Sequence, residues 1–340
     1  MYSIAVAGCG SMAKAWIQIA QQRQDCRIAA LIDVDTQAAE QKKAEFSLNA
    51  SVYSDLKTAL GREEIDIVFD ITPPQYHYQT VTTALEAGCH VFGEKPMSDS
   101  LAEAYRMVEC AQKSGKEYFV MQNRRYQPYL HAMRDFVQNG NLGAIGQISA
   151  DFRLNPHFGG FRDEMGSPLI ADMAIHTFDA ARFLLGKNPV SVYCHEFNPS
   201  WSWYHGDANA VCIFEMEDGS VFDYRGSWCA NGLHTSWESE WRISCRDGGI
   251  FWDGGQKLYY ELDDKRKKDG ISPVEGEKSP FVTISPCQIA APGHEGCINE
   301  MFEALTKGVR PQTDCRDNIK SMEMVHKALQ SSREKKIVEF

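Results

Sequence analysis

The chain has no uninterrupted run of about 18 apolar residues, so no transmembrane helix is expected. It is also short of positive charge: 35 Lys and Arg stand against 46 Asp and Glu, a formal net charge of −11. An acidic surface repels phosphate backbones and anionic lipid, which makes nucleic acid and membrane surfaces poor partners. The one basic cluster, "DDKRKKDG" at 263–270, is flanked by acids and reads as a hairpin tip or surface loop. Eleven cysteines are scattered singly without a C-x-x-C. That pattern lacks zinc-ligand spacing and suits free thiols in a reducing cytosol better than a disulfide framework, so neither a metal nor a disulfide is expected. No basic n-region precedes "SIAVAGCG", so no signal peptide is expected. Internal repeats and low-complexity tracts are missing as well.

What is present is ordinary globular material, 340 residues with 43% hydrophobic, enough for two domains. Over the first 120 residues, apolar runs at Ile4–Ala7, Ile28–Ile32, Ile65–Ile71, His90–Phe92 and Tyr118–Met121 alternate with helical patterns near 12–22, 36–46, 75–87 and 100–114. Continuous apolar runs separated by helices predict parallel strands covered on both faces, an α/β doubly wound Rossmann domain over 1–122. From 123 to 340 the rhythm changes. Helices near 127–139 and 168–185 accompany extended segments at 145–154, 190–198, 208–217, 219–228, 238–246 and 249–252. Asp-Gly turns in "MEDGS" (216–220) and "RDGG" (246–249) are hairpin signals. An α+β domain is expected, with a large, mostly antiparallel, open-faced sheet and helices on one side. Final helices near 295–307 and 315–333 are free to pack back on the first domain.

The first turn reads Gly8-x-Gly10-x-x-Ala13, after a strand and opening a helix. Gly8 permits the tight turn, Gly10 lets backbone approach a pyrophosphate, and the helix start, with Ser11 and Met12 before it, faces the phosphates. The second strand ends at Asp33. A carboxylate there can accept from both ribose hydroxyls and would repel a 2′-phosphate, and no arginine follows, which argues for NAD over NADP. The alternative is an incidental aspartate that caps the next helix. Thr72 and Pro73 end the third predicted strand on the carboxyl edge, where an open α/β sheet binds its ligand. His77, in the following helix, reads as structural or surface. "HVFGEKP" ends on the same edge, so Lys95 can reach the nicotinamide end and donate to a bound hydroxyl, with Glu94 binding ribose or holding the lysine. A solvated turn is the competing reading for both.

"GSPLIADMAIHTFDAARFLLG" (166–186) predicts one helix, with Ser167 as N-cap and Pro168 at N1. Ile170, Met173, Ala174, Phe178, Ala181, Leu184 and Leu185 form an apolar stripe, and Asp172, His176 and Asp179 share the opposite side. Leu169, Ile175 and Phe183 lie off the stripe, so this helix looks covered on more than one side. A histidine with carboxylates in a cleft is a ready general base, against the plainer reading of a wet helix face.

"VAGCGSMA", "ITPPQYHYQTVTTALEAGCHVFGEKP", "QNRRYQP" and "LIADMAIHTFDAARFLLG" together resemble the glucose–fructose oxidoreductase / inositol dehydrogenase / MocA (Gfo/Idh/MocA) family across nearly the whole chain. The resemblance implies that Lys95 contacts the reacting hydroxyl and the nicotinamide, and that the peptide before Pro96 is cis. It implies that His176 is the acid/base and that Asp172 binds substrate or orients it, with Asp179 at the position of a frequent third acid. Asn123 matches the family's N-R-R segment and is expected at the cofactor. Arg124 is the substrate candidate there, although for this arginine pair a buried ion pair bridging the domains is an equal reading. Arg162 resembles a family W-R position with Phe161 for tryptophan. The family's glycine run appears here as Gly166-Ser167-Pro168, which bears on loop shape and substrate choice. The Trp- and Tyr-rich segments 198–207 and 226–241 suit sugar binding, or a core or subunit interface, the reading favoured for most of them.

The expectation is therefore an NAD-dependent dehydrogenase of a secondary hydroxyl on a sugar, polyol or cyclitol, cytoplasmic, and a homodimer or homotetramer through the second sheet. Substrate is expected between the nicotinamide and the 168–185 helix. An NAD-dependent glycosidase using transient oxidation and a non-catalytic NAD or sugar sensor are the alternatives.

Overall fold

The computed structural model describes residues 1–263 and 281–340. All of the basic cluster at 263–270 except Asp263 lies outside the described residues. The described chain divides into two compact units, 1–126 with 290–322, and 127–289 with 323–340.

In the first unit, strands and helices alternate: β1 (Tyr2–Ala7), α1 (Ala13–Gln22), β2 (Cys26–Ile32), α2 (Thr36–Glu45), β3 (Ser51–Tyr53), α3 (Leu56–Leu60), β4 (Ile67–Asp70), α4 (Pro74–Glu86), β5 (His90–Gly93), α5 (Leu101–Ser114) and β6 (Tyr118–Val120). The sheet is parallel in the order β3-β2-β1-β4-β5-β6, so the winding reverses between β1 and β4. The apolar runs are continuous because each strand feeds two cores. Ile4, Val6, Ile67, Phe69 and Phe92 pack on one face with Trp16 and Ile17 of α1. Ala5, Ala7, Val68 and Val91 pack on the other with Val81 and Leu85 of α4 and Met107 of α5. β3 and α3 were not expected. They are short and mostly half-buried, and β3 forms by pairing with β2 rather than from an apolar run of its own.

The second unit carries α6 (Pro128–Gln138), β7 (Ile145–Arg153), α7 (Ile175–Leu185), β8 (Pro189–Phe197), β9 (Asn209–Met216), β10 (Val221–Ser227), β11 (Glu240–Cys245), β12 (Gly248–Trp252), β13 (Leu258–Leu262) and β14 (Val282–Thr283). After α8 (Gly293–Lys307) and α9 (Cys315–Glu334), β15 (Val338–Glu339) completes a nine-stranded sheet, β14-β13-β12-β11-β7-β10-β9-β8-β15. Among the described residues of this sheet, only β7 and β10 pair in parallel. Both Asp-Gly hairpins form: β9–β10 turns at Gly219 (φ 82°), and β11–β12 turns before Gly248. Buried residues alternate along β8 and β9, so one face packs and the other does not. Phe178 of α7 is seated in the packed face, with ring centroids 4.9 Å from Phe214 and 5.2 Å from Tyr224.

Two expectations are refined. Of the final helices, which the sequence left free to pack back on the first domain, α8 does so: it packs on α1, and Phe302 of α8 meets Phe69 and Phe92 in the first core. The 168–185 helix is not uniformly α. Leu169–Ala174 is a π-helix that passes into α7, so one helical wheel does not hold through Asp172. The Ser167 carbonyl accepts from the Ala171 amide, but its side chain does not cap the helix, and the N-cap position falls on Pro168.

Candidate active site

At the β1–α1 turn, Gly8 has φ 93°, and a Cβ there would lie 2.5 Å from the Ile71 carbonyl oxygen. Only glycine lets the turn press this closely against the chain leaving β4. A Cβ on Gly10 would meet nothing within 4 Å, so the outer side of the turn is open. Asp33 is tied to this turn: its Oδ2 accepts from the Cys9 amide at 2.8 Å and its Oδ1 from the Asp35 amide at 2.9 Å. Helix capping falls to Asp35, whose side chain accepts from Gln37, so Asp33 is no incidental cap. Ser11 and Met12 are exposed, and α1 starts with no side-chain cap, its Lys14 and Ala15 amides donating to the Ser11 and Met12 carbonyls. An open glycine turn at an exposed helix start, with a carboxylate braced beside it, fits a dinucleotide.

Along the same edge, Thr72 donates its hydroxyl to Asp70 Oδ1 at 2.6 Å, and Pro73 leads into α4. His77, expected to be structural or surface, is buried: its Nδ1 lies 2.7 Å from Asp70 Oδ2. Asp70 was not singled out from the sequence. Its only signal is an acid closing an apolar strand.

At the end of β5, Glu94 Oε1 accepts from the Trp16 indole at 2.8 Å, and Oε2 accepts from the Lys95 amide at 3.3 Å. Neither group is a solvated turn: both are half-buried. The Lys95–Pro96 peptide is cis. Asn123 opens a 3₁₀ turn (Asn123–Arg125), and its Nδ2 lies 3.4 Å from His294 Nδ1. His294, missed in the sequence because it belongs to no motif, has its pKa lowered by burial and by the positive charges of Arg124 and Lys95, against Glu94. The adjacent arginines separate. Arg125 is buried on Asp317 at 2.6 Å and on the Gln312 carbonyl, a pair inside the first unit rather than a bridge between domains. Arg124 is the one whose charge reaches His294.

In the second unit, Arg162 Nε donates to Asp172 Oδ2 at 2.7 Å while its guanidinium lies over Phe161 (4.6 Å) and Phe158 (5.4 Å). The phenylalanine at the expected tryptophan position thus still carries the arginine. His176 is 7% exposed and every residue of α7 is buried, which excludes the wet-face reading. Asp179 is also buried and lies 3.9 Å from Arg182. Of the aromatic segments, Tyr204, Trp228 and Trp241 belong to the core, whereas Trp201 and Trp237 are exposed, as are Phe158 and Phe161. Among the described residues no group of three His, Cys, Asp or Glu could hold a metal ion, and no helix is long and apolar enough to cross a membrane.

Comparison with known proteins adds to this geometry. A family model described as the GFO_IDH_MocA oxidoreductase family, NAD-binding Rossmann fold, matches residues 2–122, and the GFO/IDH/MocA C-terminal domain matches 130–251. The chain is 35% identical over 202 residues to the D-glucoside 3-dehydrogenase of Escherichia coli, covering 57% of each chain. It is 29% identical over 223 residues to an inositol 2-dehydrogenase of Corynebacterium glutamicum, covering 65% of each. The match therefore spans less than two thirds of either curated relative. Among solved structures, an oxidoreductase from Agrobacterium radiobacter in complex with NAD+, L-tartaric acid and magnesium superposes with a TM-score of 0.86 at 20% identity, over 99% of this chain and 98% of that one.

Proposed function

The chain belongs to the Gfo/Idh/MocA family of NAD-binding oxidoreductases, and from that premise we propose that it oxidises a secondary hydroxyl of a sugar, polyol or cyclitol. Bound NAD supplies the acceptor for the hydride that leaves the carbinol carbon. Gly8, Gly10, Ser11 and Met12 take the pyrophosphate side, Asp33 the ribose hydroxyls, and Thr72, Pro73 and Asn123 the edge toward the nicotinamide. His176 removes the hydroxyl proton, and Lys95 hydrogen-bonds the same oxygen and stabilises its developing charge. Asp172, held by Arg162, orients His176 or binds a neighbouring hydroxyl; Arg124, Arg162 and Asp179 complete the substrate set.

The observation that carries this reading is the end of β5. Glu94 is fixed by Trp16 and by the Lys95 amide, so a half-buried lysine stands on the strand-end edge that also holds the glycine turn. In this reading Glu94 positions the lysine. Relatives named for a glucoside and for inositol support a polyhydroxylated ring as substrate. The exposed Phe158, Phe161 and Trp237 supply apolar faces of the kind sugar rings pack against.

A homodimer or homotetramer through the nine-stranded sheet belongs to the same proposal. On its unpacked face Val190, Tyr193, Phe197, Val211 and Ile213 are exposed, an apolar surface that a second subunit would cover. Light scattering showing a monomer would remove that element.

The test is a panel of hexoses, polyols and inositols with NAD, followed at the NADH absorbance band. Accumulating NADH with a keto product supports the dehydrogenase. Released aglycone without net NADH would favour the glycosidase, and tight NAD binding with no turnover of any kind would favour the sensor.

A further inference from the structure

Three segments meet at one edge of the second sheet. β7 and β10 are parallel, so the chain leaves both at the same edge, and β11, antiparallel to β7, enters there. The segment after β7 carries Phe158, Phe161 and Arg162, the residue after β10 is Trp228, and the segment before β11 carries Trp237. The Phe158 ring centroid lies 6.2 Å from that of Trp237 and 6.2 Å from that of Trp228. Phe158, Phe161 and Trp237 are 56%, 62% and 42% exposed, a cost in apolar surface that a ligand would remove. Arg162 divides this patch from the reacting end. Its Nε bonds Asp172, and its guanidinium covers one face of Phe161 and of Phe158. A ring held at Asp172 therefore meets the arginine, and what the aromatics leave exposed is the side turned away from Asp172.

We propose that this edge is a subsite for a second sugar ring, so that the substrate is a disaccharide or a larger glycoside, oxidised on the ring that reaches His176. This rests on the dehydrogenase reading above and adds what the substrate carries beyond its reacting ring.

Two polar groups beside the aromatic patch distinguish a sugar from a plain apolar group. Trp228 is 1% exposed, and its indole N–H is buried with no acceptor among the described residues. It stacks on Tyr204 at 5.8 Å, and the Tyr204 hydroxyl donates to the Pro156 carbonyl at 3.0 Å, in the segment that carries Phe158. Asp163, next to Arg162, acts on Tyr204 with its charge, and its Oδ1 is buried with no donor among the described residues. Buried polar groups are costly unless paired. The hydroxyls of a sugar both donate and accept, so one ring can answer both groups, whereas a phenyl or alkyl group answers neither. Its C–H face suits the aromatic faces. Continuity with Arg162 favours a ligand over a second subunit, since the surface proposed for subunit contact lies elsewhere, on the unpacked face of β8 and β9.

The experiment compares glucose, galactose and phenyl β-glucoside with cellobiose, maltose, lactose and sucrose, each with NAD, for wild type, Trp237→Ala and Trp228→Phe. NADH formation and calorimetric titration are the two readouts. At least one disaccharide is expected to exceed its own monosaccharides in kcat/KM by about tenfold. Trp237→Ala removes the exposed ring, and Trp228→Phe removes the indole N–H while keeping an aromatic ring. Each is expected to cost that disaccharide about tenfold more than it costs the monosaccharide. Monosaccharides oxidised as well as any disaccharide leave the dehydrogenase reading standing and overturn the subsite. So does phenyl β-glucoside that matches the disaccharides in wild type and is untouched by Trp228→Phe, which marks an apolar group in place of a sugar. So does Trp237→Ala that dissociates the protein in light scattering and keeps the disaccharide preference, which marks a subunit contact. If no sugar is oxidised, the dehydrogenase reading fails and the calorimetry decides the subsite: disaccharide binding that weakens in Trp237→Ala upholds it, and no binding overturns it. If Trp228→Phe does not fold, Trp237→Ala carries the comparison.

Discussion

Replacing Asp33 probes the cofactor assignment most sharply, because this carboxylate braces the glycine turn and is proposed to bind the ribose hydroxyls, two duties that two substitutions separate. Asp33→Ala deletes the acceptors of both the Cys9 amide (2.8 Å) and the Asp35 amide (2.9 Å). Cys9 is buried, so its amide is left without a replacement, while the exposed Asp35 amide turns to water. The cost in stability is about 1–2 kcal/mol, that of one buried donor losing a charged acceptor. On the ligand side, losing a charged acceptor for the ribose hydroxyls weakens NAD roughly tenfold to a hundredfold. Asp33→Asn keeps an acceptor for Cys9, so it should retain most of the stability. It loses the negative charge that repels a 2′-phosphate, so NADP gains on NAD. Thermal denaturation and calorimetric titration with both dinucleotides read these effects. NAD affinity unchanged in Asp33→Ala, or no relative gain for NADP in Asp33→Asn, would refute the reasoning.

His176→Ala is expected to lower turnover by about 10²–10⁴ while NAD affinity stays within about twofold, read by steady-state kinetics beside NAD titration. Arg162→Ala should raise the KM for substrate by about tenfold, and lysine should not restore it, because the guanidinium both bonds Asp172 and lies over Phe161. Glu196 on β8 is pushed up to about 7, first by burial and then by Asp207, against hydrogen bonds from Ser167 and Ser332. The folded state thus holds this proton more tightly than the unfolded state does. Stability is full below the ordinary carboxylate value and declines by about 3 kcal/mol as pH rises to neutrality. Urea denaturation at about pH 5 and about pH 8 should show that decline in wild type and not in Glu196→Gln. An equal decline in the variant would contradict the assignment.

Much of this was legible in the sequence, for identifiable reasons. β1, β2, β4, β5 and β6 declare themselves because residues on both faces are buried, Ile4 and Val6 in one core and Ala5 and Ala7 in the other. Asp33 was legible because the glycine turn gives an acid at the next strand end a meaning. Asp70 ends its strand in the same way, but nothing local distinguishes an acid that braces a turn from one that meets solvent. The pair Arg124-Arg125 could not be resolved because adjacent residues point apart, and the partner that buries Arg125 is Asp317, far along the chain. The π-helix over Leu169–Ala174 was invisible because its apolar spacing also satisfies an α-helix. His294 joins Asn123 only through the return of α8 to the first unit.

The central claim is that this chain moves a hydride from a carbinol carbon to NAD under the control of Lys95. The most direct measurement uses a substrate from the polyol panel, deuterated at the carbinol carbon, with mass spectrometry of the reduced dinucleotide, for wild type and Lys95→Met. The account predicts deuterium in the reduced nicotinamide for wild type, and loss of the transfer in Lys95→Met with NAD still bound. Undiminished transfer in Lys95→Met, or reduced dinucleotide that carries no deuterium, would contradict it.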